Sequence, residues 1–464
     1  MNRFTNYFCV ENLLIFLYTF NERFKAKKTE YNIMNIKHIA LFALFSILFF
    51  SCKDEIDNVK PIISIQTPTQ NSSIDVVDTI HISGMITDDE EIVSIQINIV
   101  DDNNVSQSTS ITINPNSDTY ELNENFVISN QYLVSGKYYL LVKASDGSNE
   151  TKSFTSLYIS EIPKVKEGLI IFSHTDENST NVYKLSDSLG SELILSIQDA
   201  IADATISSHN KQIYFTGKTN ESISAYEFEN GTSVWQKEDI YNAITDIYKG
   251  TTKMFDNYAF VSQNKSSIIG IDNDGTVRKT LYISDENLSP VKFFKFNDLV
   301  AITAQGVGGI NKFATANYTS GAALTSIYSN FDVQNIIDRN NEILYLIGQK
   351  EDTLLIKSYS IYYDMIDEII SLPETNYHSS VKIGTNIAYI IANNSLYKFN
   401  FIYSSLTEVL SGIDATKIIF DEINSEIIMY SANTIYTYDF PELNLIKQVS
   451  FAETIDKIEI LYNK

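Results

Sequence analysis

Between residues 60 and 160 apolar and polar positions alternate with a period of two, in short runs separated by turn residues. That is the pattern of strands buried on one face. It predicts strands over Ile62–Gln66, Thr79–Ile86, Ile92–Val100, Ser108–Ile113, Tyr120–Ile128, Lys137–Ala144 and Thr151–Ile159. After a short linker at 161–167 the pattern changes and begins to repeat. Each unit is an apolar run followed by a second, often Tyr-centred, strand. The apolar runs are Leu169–Phe172, Ile213–Phe215, Tyr258–Val261, Leu299–Ile302, Leu344–Ile347, Ile387–Ile390 and Ile427–Tyr430. Their partners are Val182–Leu185, Ala225–Phe228, Ile268–Ile271, Ile310–Phe313, Ile356–Tyr359, Leu396–Phe399 and Ile435–Tyr438.

Seven strands in about 100 residues is the scale of an immunoglobulin-like sandwich, and residues 61–160 resemble bacterial modules of that kind, with a last hairpin at Ala144-Ser145-Asp146-Gly147. The repeats advance by about 42 residues, the span of a four-stranded propeller blade. Solenoids of that period are helical pairs, which these Tyr- and Ile-rich runs do not suit. Innermost strands are expected between the units at Ala204–Ser207, Thr245–Tyr248, Val291–Phe296, Asn335–Asp338, Val381–Ile383 and Lys417–Phe420. The missing one is supplied by Ile455–Tyr462, which is expected to pair beside Leu169–Phe172 and close the ring. The expected fold is therefore all-β: an immunoglobulin-like β-sandwich, then a seven-bladed β-propeller over 168–464 closed by its C-terminal strand. Ala225-Tyr226-Glu227-Phe228-Glu229-Asn230-Gly231-Thr232-Ser233-Val234-Trp235 resembles the repeat of pyrroloquinoline-quinone-type (PQQ-like) propellers, and WD40-like propellers share the architecture. Ile271-Asp272-Asn273-Asp274-Gly275-Thr276-Val277 repeats it in part, without the tryptophan.

A different apolar stretch lies upstream. Lys37 precedes Ile39–Phe50, which is broken only by Ser46 and runs to Ser51-Cys52. As a helix it would rise roughly 18 Å, short of a ~30 Å hydrocarbon core, and so reads as a signal peptide over 34–51. The residues before Cys52 resemble a bacterial lipobox. The resemblance implies cleavage before Cys52, acylation of its thiol with palmitate-type chains, and a lipidated tether over 52–60. Stable anchoring needs two or more chains. Lys53, Asp54 and Glu55 resemble the export signal of some Gram-negative surface lipoproteins, which implies an outer-membrane lipoprotein facing the cell exterior; the alternative is the periplasmic face. Residues 1–33 carry a second apolar run and a basic patch, and the expectation is that translation starts at Met34.

The chain carries a formal net charge of −24. Removing the leader leaves 28 basic and 55 acidic residues, a balance that repels phosphate backbones and excludes nucleic acid as a partner. Cys9 lies in the leader, so Cys52 is the one mature thiol; once acylated it leaves no disulfide, thiolate zinc site or thiol nucleophile. A quinone-dependent dehydrogenase would need a stacking aromatic and a calcium carboxylate, and related enzymes carry a vicinal disulfide. The likeness therefore speaks to fold and not to cofactor.

The remaining candidates are diffuse. His81, His174, His209 and His378 lack metal-ligand spacing, although blade loops could gather the last three on one face. Gly306-Val307-Gly308-Gly309 lacks the Lys-Ser/Thr of a phosphate loop. Asp88-Asp89-Glu90-Glu91 and Asp146 could share one end of the sandwich and bind calcium, but two solvated acidic turns is the simpler reading. Asp78-Thr79-Ile80, Asp187-Ser188-Leu189 and Asp352-Thr353-Leu354 resemble an O-glycosylation pattern of exported bacterial proteins. No catalytic, cofactor-binding or metal residues are assigned. The function expected is non-catalytic binding of a protein, peptide or glycan by the propeller, with outer-membrane lipid held through Cys52. The alternatives are a propeller hydrolase or lyase acting on polysaccharide, and a structural subunit of an outer-membrane assembly.

Overall fold

A computed structural model describes residues 57–186, 190–219, 222–237, 251–263, 266–285, 287–306 and 308–464. Cys52, Lys53, Asp54, Glu55, the leader and the Asp187-Ser188-Leu189 triplet lie outside the described residues. All regular elements among those described are strands. No helix among them is long and apolar enough to cross a membrane. The chain forms two compact units, one reaching Asn130 and including Ser135–Ser160, the other Gln131–Val134 with Glu161–Lys464.

The first unit contains two sheets. Thr79–Ile92 lies between Ile62–Thr67 and Ser117–Val127 in a three-stranded sheet. The other runs in the order Ser72–Asp75, Glu150–Ser160, Gly136–Ser145, Ser94–Val100, Ile111–Ile113. The period-two pattern sends alternate residues inward: Ile80, Ile82, Leu122 and Phe126 from one sheet, and Ile95, Ile97, Leu140, Val142 and Leu157 from the other, are all buried. Ser72–Asp75, which pairs parallel to Leu157–Ser160, is absent from the sequence reading. One isoleucine among four residues gives no alternation to read.

The second unit is a β-propeller. Among the described residues it contains seven four-stranded antiparallel sheets. The second strand of each sheet is buried on both faces, which is why its residues read as an unbroken apolar run. In the fifth sheet (Ile343–Lys350), Leu344 and Leu346 pack toward Ala301 and Phe313 of the fourth sheet. Tyr345 and Ile347 turn the other way, to Ala388, Ile390 and Phe399 of the sixth. The sixth gives Tyr389 and Ile391 to Ile427 and Met429 of the seventh. The seventh then gives Ile428 and Tyr430 to Leu169 and Ile171 of the first. Ile170 and Phe172 meet Ile213 and Phe215 of the second sheet. Tyr214 packs on Ala259 of the third, and Phe260 of the third on Val300 and Ile302 of the fourth. Each sheet thus covers the next, and the last covers the first.

The first sheet is completed from the end of the chain. Thr454–Tyr462 pairs antiparallel with Lys166–His174, in the register Ile458↔Ile171. Lys166 Nζ fixes the same junction, 2.8 Å from Glu426 and 3.2 Å from the fully buried Asp421, which also accepts from Tyr462 OH at 3.0 Å. The expected innermost strands fall where placed, with one exception. Thr245–Tyr248 lies outside the described residues, and the first strand of the third sheet is Thr252–Phe255. The polar, Thr-rich stretch around 245–252 offers no apolar run to fix the position.

Trp235 explains the partial repeat that follows it. Its indole N–H donates to the Asn273 carbonyl at 2.9 Å, and the ring lies on Gly275. At φ +82° a Cβ there would sit 2.9 Å from Trp235 Cγ, so glycine is required by both conformation and space.

Truncation before Ile455 is expected to abolish the propeller fold. Ile455, Ile458 and Leu461 are buried, and at roughly 1.5–3 kcal/mol each their loss rivals the whole stability of a domain. Urea unfolding followed by Trp235 fluorescence checks this; a truncated chain with an unchanged midpoint contradicts it.

Candidate functional site: a lysine cluster on the innermost strands

Where second strands carry aliphatic residues, innermost strands carry charge. Four lysines from four sheets are linked electrostatically: Lys253 of the third and Lys417 of the seventh each feel Lys292 of the fourth and Lys457 of the first. Two acids stand among them, Asp203 on Ile201–Ser207 of the second sheet and Glu459 on the closing strand. Lys457 Nζ is 2.7 Å from Asp203 Oδ1 and 3.1 Å from Glu459 Oε1, and it donates to the Ala204 carbonyl as well. Asp203 Oδ2 accepts the Thr252 backbone N–H at 2.9 Å. One carboxylate therefore ties the first, second and third sheets together.

Neutral hydrogen bonds extend the belt. Thr251 Oγ1 donates to the Val291 carbonyl, Asn335 Nδ2 donates to the Ser380 carbonyl at 2.9 Å, and the Ile458 N–H donates to Tyr430 OH at 3.2 Å. Burial, above all, lifts the Tyr430 hydroxyl to about 12, so it stays protonated.

Lys253, Lys292 and Lys417 are different from Lys457. Among the described residues none of the three has a carboxylate at ion-pair distance. Burial and then the charges of Lys292 and Lys457 push the Lys253 ammonium down to about 8, against the opposing pull of Asp203 and Glu459. Lys417 is also lowered, by burial and then by Lys292. Burial alone would lower Lys457 too, but Asp203 and Glu459 outweigh it and hold this ammonium above the ordinary lysine value. Lys253 is half-buried and Lys292 and Lys417 are exposed by surface area, so protein crowds these side chains while each keeps contact with solvent.

A cleft of about 480 Å³ opens between the seventh sheet and the closing strand, lined by Asp414, Thr416, Lys417, Tyr430, Ile455 and Asp456 among others. His174 Nδ1 sits 2.7 Å from Asp456 Oδ2 at this end. Nearby Glu453 accepts from Ser173 Oγ and Tyr183 OH, each at 2.8 Å, and from Asn181 at 3.0 Å. Burial opposes its ionisation, but these hydrogen bonds prevail and hold the carboxyl below its usual range. Ser173 and His174 are successive residues of one strand and engage different acids, so no serine–histidine–acid relay forms there.

The other sequence candidates disperse. His174 ends a second strand, whereas His209 lies in the turn between first and second strands of its sheet, at the opposite end. His378 lies on an innermost strand, and His81 in the first unit pairs with Asn125 at 3.3 Å. Asp88 and Asp146 do approach: burial raises Asp88, with the Asp146 charge adding to it. Asp146 is itself occupied, accepting from the Ser148 and Asn149 backbone N–H groups at 2.6 and 2.5 Å. Among the described residues no group of three or more His, Cys, Asp or Glu could hold a metal ion. Gly306, Gly308 and Gly309 belong to a hairpin between two strands of the fourth sheet; Val307 lies outside the described residues.

The sequence reading misses the lysine cluster. Lys253, Lys417 and Lys457 are each the single lysine of their strand and Lys292 shares its strand only with Lys295, so only their order around the ring unites them. Placing the third innermost strand at Thr245–Tyr248 also leaves Lys253 outside any such element.

No family model matches the chain, and no curated protein matches it. Among solved structures it is similar to a quinoprotein alcohol dehydrogenase-like protein from Bacteroides thetaiotaomicron, at 10% identity and a TM-score of 0.41, covering 88% of this chain and 100% of that one. It is also similar to BamB from Moraxella catarrhalis, at 11% identity and a TM-score of 0.41, covering 66% and 92%. A functionally unknown protein from Desulfotomaculum acetoxidans gives 12% identity and a TM-score of 0.46, covering 63% and 98%. The fold assignment rests on the strand pairing and sheet packing described above.

Lys253→Met is expected to stabilise the chain at pH 7. The folded ammonium titrates near 8 and the unfolded one near 10.5, so between these values the unfolded chain binds more protons and stability rises with pH. Lys417 acts in the same sense, and Lys457 in the opposite sense only above the ordinary lysine range. The variant should lead wild type at pH 7 and lose that lead towards pH 10 or so in urea melts. A constant difference across this window contradicts the assignment.

Proposed function

We propose that this chain is a lipid-anchored, non-catalytic binding protein whose propeller holds an anionic ligand on the lysines of its innermost strands. In this reading Cys52 carries the acyl chains and Lys53, Asp54 and Glu55 direct the protein to the exterior face of the outer membrane. An immunoglobulin-like module follows the tether in the chain, and the ring of sheets is a complete seven-bladed propeller. The observation that carries the reading is the contrast among lysines. Lys457, Lys382 and Lys295 each meet a carboxylate, Asp203, Asp338 and Asp256 respectively. Among the described residues Lys253 and Lys417 each face Lys292 with no carboxylate at ion-pair distance, in a chain of net charge −24. Unpaired like charges at close quarters are costly, and an anion relieves that cost. The cluster favours anion binding over a polysaccharide hydrolase or lyase, because its two carboxylates, Asp203 and Glu459, are both committed to Lys457.

One observation favours the structural-subunit reading. Tyr362 and Tyr363 on the fifth sheet, and Ile402 and Tyr403 on the sixth, occupy the same turn of neighbouring sheets and are 60–82% exposed. Co-purification of the chain with an outer-membrane complex, lost in Tyr363→Ser/Tyr403→Ser, would place function there.

Two experiments test the main proposal. Thermal melting of the full chain in detergent should show stabilisation by anionic solutes and none by neutral sugars or organic cations. Stabilisation by neutral or cationic solutes alone contradicts it. Separately, Cys52→Ser should abolish incorporation of radiolabelled palmitate and release the protein from outer-membrane fractions; retained label contradicts the anchor.

A further inference from the structure

We infer that the ligand class is a compact dianion, a small group carrying two negative charges such as a phosphate monoester or a short dicarboxylate. This rests on the binding role proposed above and specifies its ligand. Four ammonium groups, Lys253, Lys292, Lys417 and Lys457, share their neighbourhood with two carboxylates, Asp203 and Glu459. Two positive charges are therefore left over.

The arrangement is asymmetric. Both carboxylates are committed to Lys457 at 2.7 and 3.1 Å, and Asp203 is further held by the Thr252 N–H. They serve the framework, while Lys253, Lys292 and Lys417 present free ammonium groups from the third, fourth and seventh sheets. Ammonium groups on separate rigid strands, Lys253 and Lys417 on either side of Lys292, suit an anion of high charge density, since lysine binds as a point charge and not as a planar fork. A monoanion would leave net repulsion in the cluster, and a trianion would exceed its charge.

The cleft sets size and direction. Its volume of about 480 Å³ is that of a small-molecule site, and Lys417 lies on its wall with Thr416 and Tyr430. Asp456 on the same wall is occupied by His174. Asp414 also lines the cleft but is not among the main charges acting on Lys417, which are Lys292, Asp203 and Lys457. A compact dianion that enters by the cleft meets Lys417 first, with Lys292 beyond it.

Calorimetric titration of the full chain in detergent with sulfate, inorganic phosphate, succinate and acetate tests this. The dianions should bind about tenfold more tightly than acetate or better, and Lys253→Gln and Lys417→Gln should each weaken them about fivefold or more. Lys253→Arg, which keeps the charge, should retain binding and guards against a merely structural effect. Binding of sulfate and succinate, whose charge is fixed over this range, should also weaken from pH 7 to about 9 as Lys253 releases its proton, a dependence reduced in Lys253→Gln. Facing Lys253 are Lys292 on the fourth sheet, Asp203 on the second, and Lys457 and Glu459 on the closing strand. Phosphate and sulfate binding without succinate identifies an oxyanion head group; succinate binding most tightly identifies a dicarboxylate. Acetate binding as tightly as the dianions overturns the inference and leaves the anion-binding role standing. Failure of every anion, in a chain whose melting confirms it is folded, overturns both.

Discussion

The pairing of Thr454–Tyr462 with Lys166–His174 is the contact on which the second unit depends. Each sheet of the propeller has an apolar second strand with two faces to cover, and a linear array would leave the outermost faces wet. By bringing the last strand to the first sheet, the chain lets Ile428 and Tyr430 cover Leu169 and Ile171, so that no second strand keeps an open face. The joint is reinforced by charge, with Lys166 seated between Glu426 and the fully buried Asp421. A buried carboxylate that lost this partner would be left uncompensated, so the ion pair fixes the join as much as it strengthens it.

The same strand builds the candidate site. Lys457 and Glu459 lie among the residues that bury the closing strand, Ile455, Ile458 and Leu461, and Lys457 reaches across to Asp203 on the second sheet. Closure and charge are thus coupled, since the acids that balance Lys457 are in place only when the ring is joined. Lys253 and Lys417 come within range of Lys292 for the same reason, and the remaining imbalance belongs to the assembled ring and not to any one sheet. An acidic chain that concentrates unpaired lysines at one place has a local field opposite to its global one, which favours selective capture of small anions over large polyanions.

Much of the fold was legible because the strands that matter most to packing are those whose sequence is least ambiguous. Leu344-Tyr345-Leu346-Ile347 reads as a strand buried on both faces because six further runs repeat it at the spacing of a propeller blade. Ile455–Tyr462 was legible as the missing innermost strand by simple count. Ser72–Asp75 was not, having one apolar residue, and the first strand of the third sheet was misplaced because Thr252-Lys253-Met254-Phe255 lacks an unbroken apolar core. The site was invisible for a deeper reason. Lys253 and Lys457 are 204 positions apart, and a lone lysine in a strand carries no sign of which others it will face. Histidines and acidic turns drew attention because their chemistry is local, yet His174 and His209 end on opposite sides of their sheets.

The central claim is that Lys253, Lys292 and Lys417 form an unpaired cluster beside a neutralised Lys457. Its most direct test is an NMR titration of lysine side-chain resonances in the unliganded full chain, assigned by single Lys→Arg replacements. The account predicts that Lys253 titrates near 8, Lys417 below the ordinary lysine value and Lys457 above it. If Lys253 and Lys457 both titrate at the ordinary value of about 10.4, the cluster as described does not exist.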